Sequence, residues 1–187
     1  MPGAANALVK CNTLAAEERL SAARLAADAM AALYRPLGEE ALPVLADEFL
    51  IEGSELGDSV ALMNSTVEGL IASYPAAEYQ SRQRVSLHHA LSELSREAGE
   101  RLVEQLRALA SQIPQDRIEG EYLARFAVRP DLRGSGRADR LMDYLVSSHP
   151  KISLHVRTDN GRAVSFYRRH GFVDRSDGGG FLMMQRG

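Results

Sequence analysis

The stretch Arg133-Gly134-Ser135-Gly136-Arg137-Ala138 lies between the apolar segment Leu123–Val128 and a segment whose apolar residues recur with helical spacing. A strand, a glycine-rich turn that carries arginine, and a following helix form an arrangement that binds phosphate groups. The glycines let backbone N–H groups approach an anion, the helix N-terminus adds partial positive charge, and arginine adds a rigid set of donors. The stretch therefore predicts an anion-binding loop at the start of a helix.

A second motif lies about one βα unit downstream. Its residues fit a short helix that ends in a Gly-Phe pair, and they are Asn160, Ala163, Tyr167, Gly171 and Phe172. Together with Val128-Arg129-Pro130-Asp131-Leu132 and the loop after it, this spacing resembles the GNAT superfamily of acyl-CoA N-acyltransferases. The resemblance is specific between Leu123 and Phe172, and it is weaker but compatible in the predicted hairpin Ser59–Tyr74.

The resemblance implies an α/β fold of the GNAT type, in which a mixed, mostly antiparallel central sheet contains splayed parallel strands and is flanked by helices. It also implies acetyl-CoA as the acyl donor, with the diphosphate on the N–H groups of Gly134–Ala138 and Arg133 beside it. Arg137 departs from the pattern, because the family usually has an aliphatic residue there. Either its head group reaches a phosphate or its side chain is simply exposed.

The same resemblance assigns the rest of the donor site. The pantetheine arm would run along Phe126, Ala127 and Val128, where the two parallel strands part and the backbone groups of Phe126 and Val128 are free to pair with its amides. The Val128 N–H would point at the thioester oxygen, where charge develops during attack. Asn160 would hydrogen-bond the arm, and Tyr167 would lie near the sulfur.

Composition and charge limit the class of protein. The 187 residues predict a single domain, 1–187, and the 45% of hydrophobic and 25% of charged residues are typical of a globular chain. No apolar run reaches the length of a membrane span, and Met1–Asn12 has no secretion-signal pattern, so we expect a cytoplasmic protein without membrane contact. No basic stripe supports nucleic-acid binding.

The charge is unevenly distributed, with a net of −8 in residues 1–120 and +5 in residues 121–187. The basic part contains the predicted anion-binding loop. The acidic part either favours a cationic substrate or serves only solubility.

Neither cysteine nor histidine predicts a metal site. Cys11 is the only cysteine, so the chain can form no internal disulfide and no cysteine cage. His88 and His89 are adjacent on a predicted helix, face different sides and have no partners at metal-ligand spacing. His155 lies on the strand beside the expected acetyl-CoA site, where it is either structural or makes a polar contact near the pocket.

Periodicity and turn residues predict a mixed sheet with helices on both faces. Helices are expected at 14–35, 39–49, 76–113 (two helices meeting near residue 95 or 99), 138–148 and 161–170, and strands at 59–63, 67–74, 120–128, 152–156, 172–175 and 181–185. Residues 120–187 would form the acetyl-CoA-binding core. The long segment 76–113 is either a helical lid or wall of the acceptor pocket, or an extra packing element or dimer face.

Amide formation from a thioester requires a neutral amine, aligned reactants and a stabilised thiolate. Alignment of both substrates favours direct attack in a ternary complex without an acyl-enzyme, and no motif around Cys11 marks it as a nucleophile. Tyr167 is the candidate general acid toward the thiolate, and the alternative is that its ring only packs.

The general base is left open by the sequence. Glu121 and Glu119 lie on or beside the strand that leads to Val128. Because side chains alternate along a strand, they are expected on the face opposite to Phe126, unless a β-bulge reverses the alternation. Glu48 and Glu52 are candidates from the helical side, and a water relay is a further alternative. Each glutamate could equally be a surface charge.

These observations predict an N-acetyltransferase that acts on a primary amine of a small molecule. A protein or peptide amine is the alternative acceptor. A non-catalytic acyl-CoA-binding module is the other alternative, and it would keep the loop without needing Tyr167. The exposed edge that a C-terminal hairpin leaves is compatible with a homodimer.

Overall fold

A computed structural model of the protein describes residues 7–187, so the first six residues of the Met1–Asn12 segment lie outside it. The strands are β1 (Ala7–Lys10), β2 (Val60–Asn64), β3 (Thr66–Pro75), β4 (Glu121–Val128), β5 (Ile152–Arg157), β6 (Val173–Asp177) and β7 (Phe181–Arg186). The helices are α1 (Ala16–Ala29), α2 (Ala31–Tyr34), α3 (Ala41–Glu48), α4 (Tyr79–Glu93), α5 (Arg96–Ala110), α6 (Arg137–Ser148) and α7 (Gly161–Arg169).

The described strands form one seven-stranded sheet in the order β1-β2-β3-β4-β5-β7-β6. Neighbouring strands are antiparallel except for the central pair β4 and β5, which is parallel. The connection from β4 to β5 contains α6, as a crossover between parallel strands requires. The predicted class, a mixed and mostly antiparallel sheet flanked by helices, is confirmed.

The parallel strands splay apart toward their C-terminal ends. Their pairing stops at Leu123 and Leu154, although β4 continues to Val128 and β5 to Arg157. Beyond that point each strand presents backbone groups to a gap instead of to its neighbour. The splayed pair that the resemblance implies is therefore present.

A β-bulge interrupts β4 just before the gap. Ala72 of β3 pairs with Arg125, whereas the next residue, Ser73, pairs with Leu123. Ala124 is the extra residue, so the alternation of side chains reverses there. Leu123 and Phe126 consequently belong to the same core on one face of the sheet.

Separate apolar cores cover the two faces of the sheet. On one face α6 and α7 bury Leu141, Leu145 and Val164 against the strands. Close packing of α6 depends on Gly69, because a Cβ at that position would lie 2.7 Å from the Leu141 side chain. On the other face α1 and α3 cover β2 and β3, and a third core joins α5 to α2 and Phe181.

Most of the predicted elements are present, with two corrections. The predicted helix 14–35 is broken at Met30, whose φ of −124° and ψ of 46° are not helical, so α1 and α2 are separate. The strand β1 was missing from the predicted order. The segment 76–113 contains two helices, as predicted, and the Ser95 hydroxyl caps α5 by accepting from Ala98 N–H.

Candidate active site

A cavity of about 770 Å³ opens where β4 and β5 part. One end lies at the glycine-rich loop and the start of α6. The other end lies beneath the junction of α1 and α2, where α5 and β7 complete the wall. Residues that line this second end are Leu25, Asp28, Ala29, Met30, Leu33, Leu109 and Phe181. The cavity therefore connects the predicted anion-binding loop with a largely apolar chamber.

The loop has the backbone geometry that its sequence predicts. Gly134 and Gly136 have φ values of 84° and 82°, in the left-handed region that favours glycine, and no atom lies within 4 Å of a Cβ added at either position. Gly136 is the residue that precedes α6, so the first N–H groups of that helix lack helical partners. Gly134, Gly136, Ala138 and Arg133 line the cavity. This open set of N–H donors beside an arginine fits the diphosphate of acetyl-CoA.

Two residues of the stretch serve the loop itself. The N–H and hydroxyl of Ser135 both donate to the Leu132 carbonyl oxygen, which closes the turn. Arg137 takes neither of the places expected for it, because its Nε donates to Glu68 Oε2 at 2.7 Å on β3. The Arg137 side chain thus fastens the start of α6 to the sheet, and only its backbone N–H stays a candidate for binding an anion.

The Glu68–Arg137 pair should make stability depend on pH. Hydrogen bonding from Arg137 lowers the pKa of Glu68 below its usual 4.5. A carboxyl whose pKa is lower in the folded state stabilises the fold above its unfolded pKa, and this contribution is lost as pH falls through the folded pKa. Glu68→Gln should therefore lower the urea midpoint at pH 7, and the difference from wild type should shrink below about pH 4. A difference that stays constant down to pH 3 would contradict the pairing.

The free edge of β4 directs alternate N–H groups into the gap. Arg129 N–H donates to the Glu68 carbonyl oxygen on β3 at 2.9 Å. Because N–H groups alternate in direction along a strand, those of Phe126 and Val128 point away from β3 and toward β5. The N–H of Ala127 points to β3, although Ala127 lines the cavity.

Tyr167 and Asn160 lie along the same gap. The Tyr167 ring packs against Phe126 and Phe172 with centroid distances of 6.2 and 5.6 Å, and the residue lines the cavity. Burial raises the pKa of Tyr167, so its hydroxyl keeps its proton at neutral pH. Asn160 begins α7 by accepting from Ala163 N–H through Oδ1, which leaves its side-chain NH₂ as a donor toward the cavity it lines.

None of the four glutamates considered as bases is found in the described cavity wall. Glu121 accepts from the Ser73 hydroxyl at 2.7 Å and lies 3.5 Å from His149 at the end of α6. As expected, the side chains of Glu121 and Tyr122 point to opposite faces of the sheet. Because of the bulge at Ala124, however, Glu121 lies on the same face as Phe126. The other three are engaged elsewhere or exposed: Glu119 pairs with Lys151, Glu48 accepts from Ser86 and Glu52 lies in an exposed loop.

The structure brings a polar cluster to the cavity that the sequence analysis missed. Buried Arg125 lines the cavity and forms an ion pair of 3.0 Å with Glu55, which also accepts from the Tyr74 hydroxyl. His155 lines the cavity one residue after the last β4–β5 pair and contacts the Tyr122 hydroxyl through Nδ1 at 3.1 Å. Because of the bulge, Tyr122 and Arg125 lie on the same face of the sheet. The sequence analysis could have placed them together only if it had included the extra residue Ala124 in the alternation.

Groups that could bind a metal ion and helices that could span a membrane were both looked for in residues 7–187. In this range no three His, Cys, Asp or Glu side chains are grouped so as to hold a metal ion. No helix of the described part is long and apolar enough to cross a membrane.

The lone cysteine is not activated as a nucleophile. Burial raises the pKa of the Cys11 thiol to about 12, which keeps this side chain protonated.

Comparison with known proteins agrees with this geometry. Residues 99–174 match the sequence profile of the acetyltransferase (GNAT) domain. This match, which spans less than half of the chain, and the fold together confirm the predicted resemblance to the GNAT superfamily of acyltransferases.

The curated relatives share a short part of this domain. Over 55 residues the chain is 31% identical to the peptidyl-lysine N-acetyltransferase YjaB of Escherichia coli and to that of Salmonella typhimurium. The aligned part covers 29% of this chain and spans 37% and 38% of the length of those relatives, respectively.

Solved structures share the fold over nearly the whole chain. An N-acetyltransferase from Staphylococcus aureus Mu50 superposes with a TM-score of 0.67 at 16% identity, covering 96% of this chain and 98% of that one. The PaiA N-acetyltransferase of Thermoplasma acidophilum, solved in complex with coenzyme A, has a TM-score of 0.53 at 14% identity, with coverage of 98% and 99%. At these identities the likeness establishes the fold.

Proposed function

We propose that the protein transfers an acetyl group from acetyl-CoA to the primary amine of a small molecule, by direct attack in a ternary complex. The observation that carries this proposal is the single cavity that joins the glycine-rich loop to an apolar chamber at the splayed strands. Acetyl-CoA supplies an activated thioester carbonyl when it is bound. The chain would supply alignment of the reactants and donors for developing charge.

The roles of individual residues follow from their positions. The N–H groups of Gly136 and Ala138, together with Arg133, would hold the diphosphate. Val128 N–H, which faces the gap, would donate to the oxygen that gains negative charge during attack. Tyr167 would donate its proton or a hydrogen bond to the departing sulfur, since its raised pKa keeps the hydroxyl protonated.

The acceptor end of the cavity supports a compact amine with an apolar part. Leu33 and Leu109 come from α2 and α5, and Phe181 closes the wall from β7. Through Leu109 the segment 76–113 would form a wall of the acceptor pocket, which is one of the two roles expected for it. Asp28 is exposed at the rim of this end and would attract a cationic amine.

A lysine side chain of a peptide is the second candidate acceptor. The relatives that share 55 residues with this chain are named peptidyl-lysine N-acetyltransferases, and a lysine side chain is itself an unbranched alkyl amine. A non-catalytic acyl-CoA-binding module is the third candidate, and it would bind acetyl-CoA without turnover.

Release of coenzyme A separates these candidates. Wild-type protein is incubated with acetyl-CoA and aromatic amines, polyamines, amino acids, aminoglycosides or acetyl-capped lysine peptides, each against acetyl-CoA alone. We expect turnover above background with a small amine. Turnover with peptides only would replace the proposed acceptor, and saturable acetyl-CoA binding without turnover in any class would favour the binding module.

Removing the Tyr167 hydroxyl tests the proposed general acid. Tyr167→Phe preserves the ring packing against Phe126 and Phe172. We expect kcat to fall by about tenfold to 100-fold, while the Kd for acetyl-CoA stays within about twofold, because only stabilisation of the leaving group is lost. Tyr144→Phe, at a partly exposed position on α6, is the matched control. Wild-type turnover in Tyr167→Phe would restrict this residue to packing.

Four broader expectations also remain proposals. We propose one domain over residues 1–187 with an acetyl-CoA-binding core in 120–187, and a cytoplasmic location. If the protein oligomerises, we propose a homodimer that pairs through the exposed sheet edge at β6. Nucleic acid and membranes are not expected partners.

A further inference from the structure

His155 is placed at the point where the reacting groups of the proposed function would meet. It follows Leu154, the last β5 residue paired with β4, and it lines the cavity beside the bulged residue Ala124. Its Nδ1 contacts the Tyr122 hydroxyl, and its Nε2 is buried with no hydrogen-bond partner among the described residues. A buried polar atom without a partner is costly, so this nitrogen calls for a partner that binds in the cavity.

Two tyrosine side chains follow His155 from the cavity wall toward the surface. The Tyr122 ring lies beside the His155 ring and packs edge-to-face against Tyr79 on α4, with ring centroids 4.7 Å apart. Tyr79 is partly exposed, whereas Tyr122 is buried. Tyr122 and Tyr79 thus lie in series between His155 and solvent.

We propose that His155 Nε2 accepts the proton of the acceptor amine and that Tyr122 and Tyr79 pass a proton on to solvent. This inference rests on the proposed function. As the amine nitrogen forms its C–N bond and the C–S bond breaks, the amine proton moves to Nε2 and the Nδ1 proton moves to the Tyr122 oxygen. Tyr122 gives its own proton to Tyr79, and Tyr79 releases one to solvent. The departing sulfur takes a proton from Tyr167, which solvent restores. After the product leaves, Nε2 gives its proton to water in the cavity, and Nδ1 regains one from Tyr122, which is resupplied from solvent through Tyr79.

The electrostatic surroundings favour a relay over a charged histidine. Burial lowers the pKa of His155 to about 4, opposed only in part by the negative charge of Asp116, and the groups packed around the ring are the neutral hydroxyls of Tyr122 and Tyr79. The ring is therefore neutral at pH 7, with one nitrogen free to accept. A ring that gains a proton at Nε2 while losing one at Nδ1 never carries the charge that burial penalises.

The position of the ring proton in the free protein is the most direct test. The relay requires the tautomer with hydrogen on Nδ1, which donates to Tyr122, and a lone pair on Nε2. Nitrogen NMR of protein labelled with ¹⁵N-histidine distinguishes the two tautomers, and His155→Gln identifies the His155 signals. We expect Nε2 of His155 to be unprotonated at pH 7. A hydrogen on Nε2 would overturn the proposal, whatever the acceptor proves to be.

Kinetics with 2-phenylethylamine as the probe acceptor give an independent reading. In His155→Gln we expect kcat to fall by about tenfold to 100-fold, with the KM for acetyl-CoA unchanged and the solvent isotope effect on kcat diminished. Tyr122→Phe keeps the ring packing and should lower kcat in the same direction, which covers the case that His155→Gln folds poorly. His88→Gln, at an exposed position on α4, is the control and should match wild type.

The proposed function and the proposed role of His155 are contradicted by different results. Wild-type protein that turns over no amine contradicts the proposed function, while the NMR measurement still decides the role of His155. An active wild type whose His155→Gln and Tyr122→Phe variants keep full kcat and an unchanged isotope effect overturns the relay and leaves the proposed function intact.

Discussion

Replacing Gly136 with valine is expected to raise the Kd for acetyl-CoA by at least about 100-fold. Gly136 has a φ of 82°, which a β-branched residue adopts only at a cost of about 1–2 kcal/mol. Relaxation of that strain rotates the N–H groups that begin α6 away from the diphosphate. Loss of two hydrogen bonds to a charged group costs about 3 kcal/mol or more, which corresponds to about 100-fold in affinity. Isothermal titration of acetyl-CoA measures the change.

A second glycine separates loss of binding from general strain. Gly53 has a φ of 75°, has no atom within 4 Å of an added Cβ, and is not part of the described cavity wall. Gly53→Val should therefore lower the melting temperature about as much as Gly136→Val and leave acetyl-CoA binding unchanged. Equal weakening of binding in both variants would show that the loop is not the diphosphate site.

The largest loss of stability is expected from Arg125→Met. The Arg125 and Glu55 side chains are only 5% and 12% exposed and form an ion pair of 3.0 Å. Removing the arginine leaves Glu55 nearly buried without its cation, and breaking a buried pair in this way costs about 3–5 kcal/mol. Urea unfolding at pH 7 measures the difference in the free energy of unfolding.

The controls for Arg125 use a surface pair and the partner residue. Arg157 pairs with Asp159 at side chains that are 43% and 65% exposed, and Arg157→Met should cost less than about 1 kcal/mol. The double variant Arg125→Met/Glu55→Gln removes both charges and should recover part of the loss. Equal stability of the Arg125 and Arg157 variants would mean that the buried pair contributes little.

The local part of the site could be predicted because its chemistry is written in consecutive residues. The positive φ at Gly136 and the helices that begin at Arg137 and Gly161 followed from glycine positions and helical periodicity. The roles of Asn160 and Tyr167 came from the family resemblance and stay predictions. The splayed strands came from the family resemblance, and the pairing that ends at Leu123 confirms them.

The acceptor side could not be predicted, because it depends on contacts between distant segments. One extra residue, Ala124, decides which side chains of β4 share a face, and no local pattern marks a bulge of this kind. Arg125 meets Glu55 across 70 positions of sequence and His155 meets Tyr122 across 33. The pairing of the Arg137 side chain with Glu68 was missed for the same reason, since Glu68 lies on β3, far from Arg137 in the sequence.

Mass analysis of both protein and amine after reaction with acetyl-CoA tests the central claim most directly. The protein is mixed with excess acetyl-CoA, with and without the amine that gives the fastest coenzyme A release. The account predicts that the acetyl group appears on the amine, only when the amine is present, while the mass of the protein stays unchanged throughout. Acetyl groups on the protein before the amine is added, or no acetylated amine despite acetyl-CoA binding, would contradict direct transfer in this cavity.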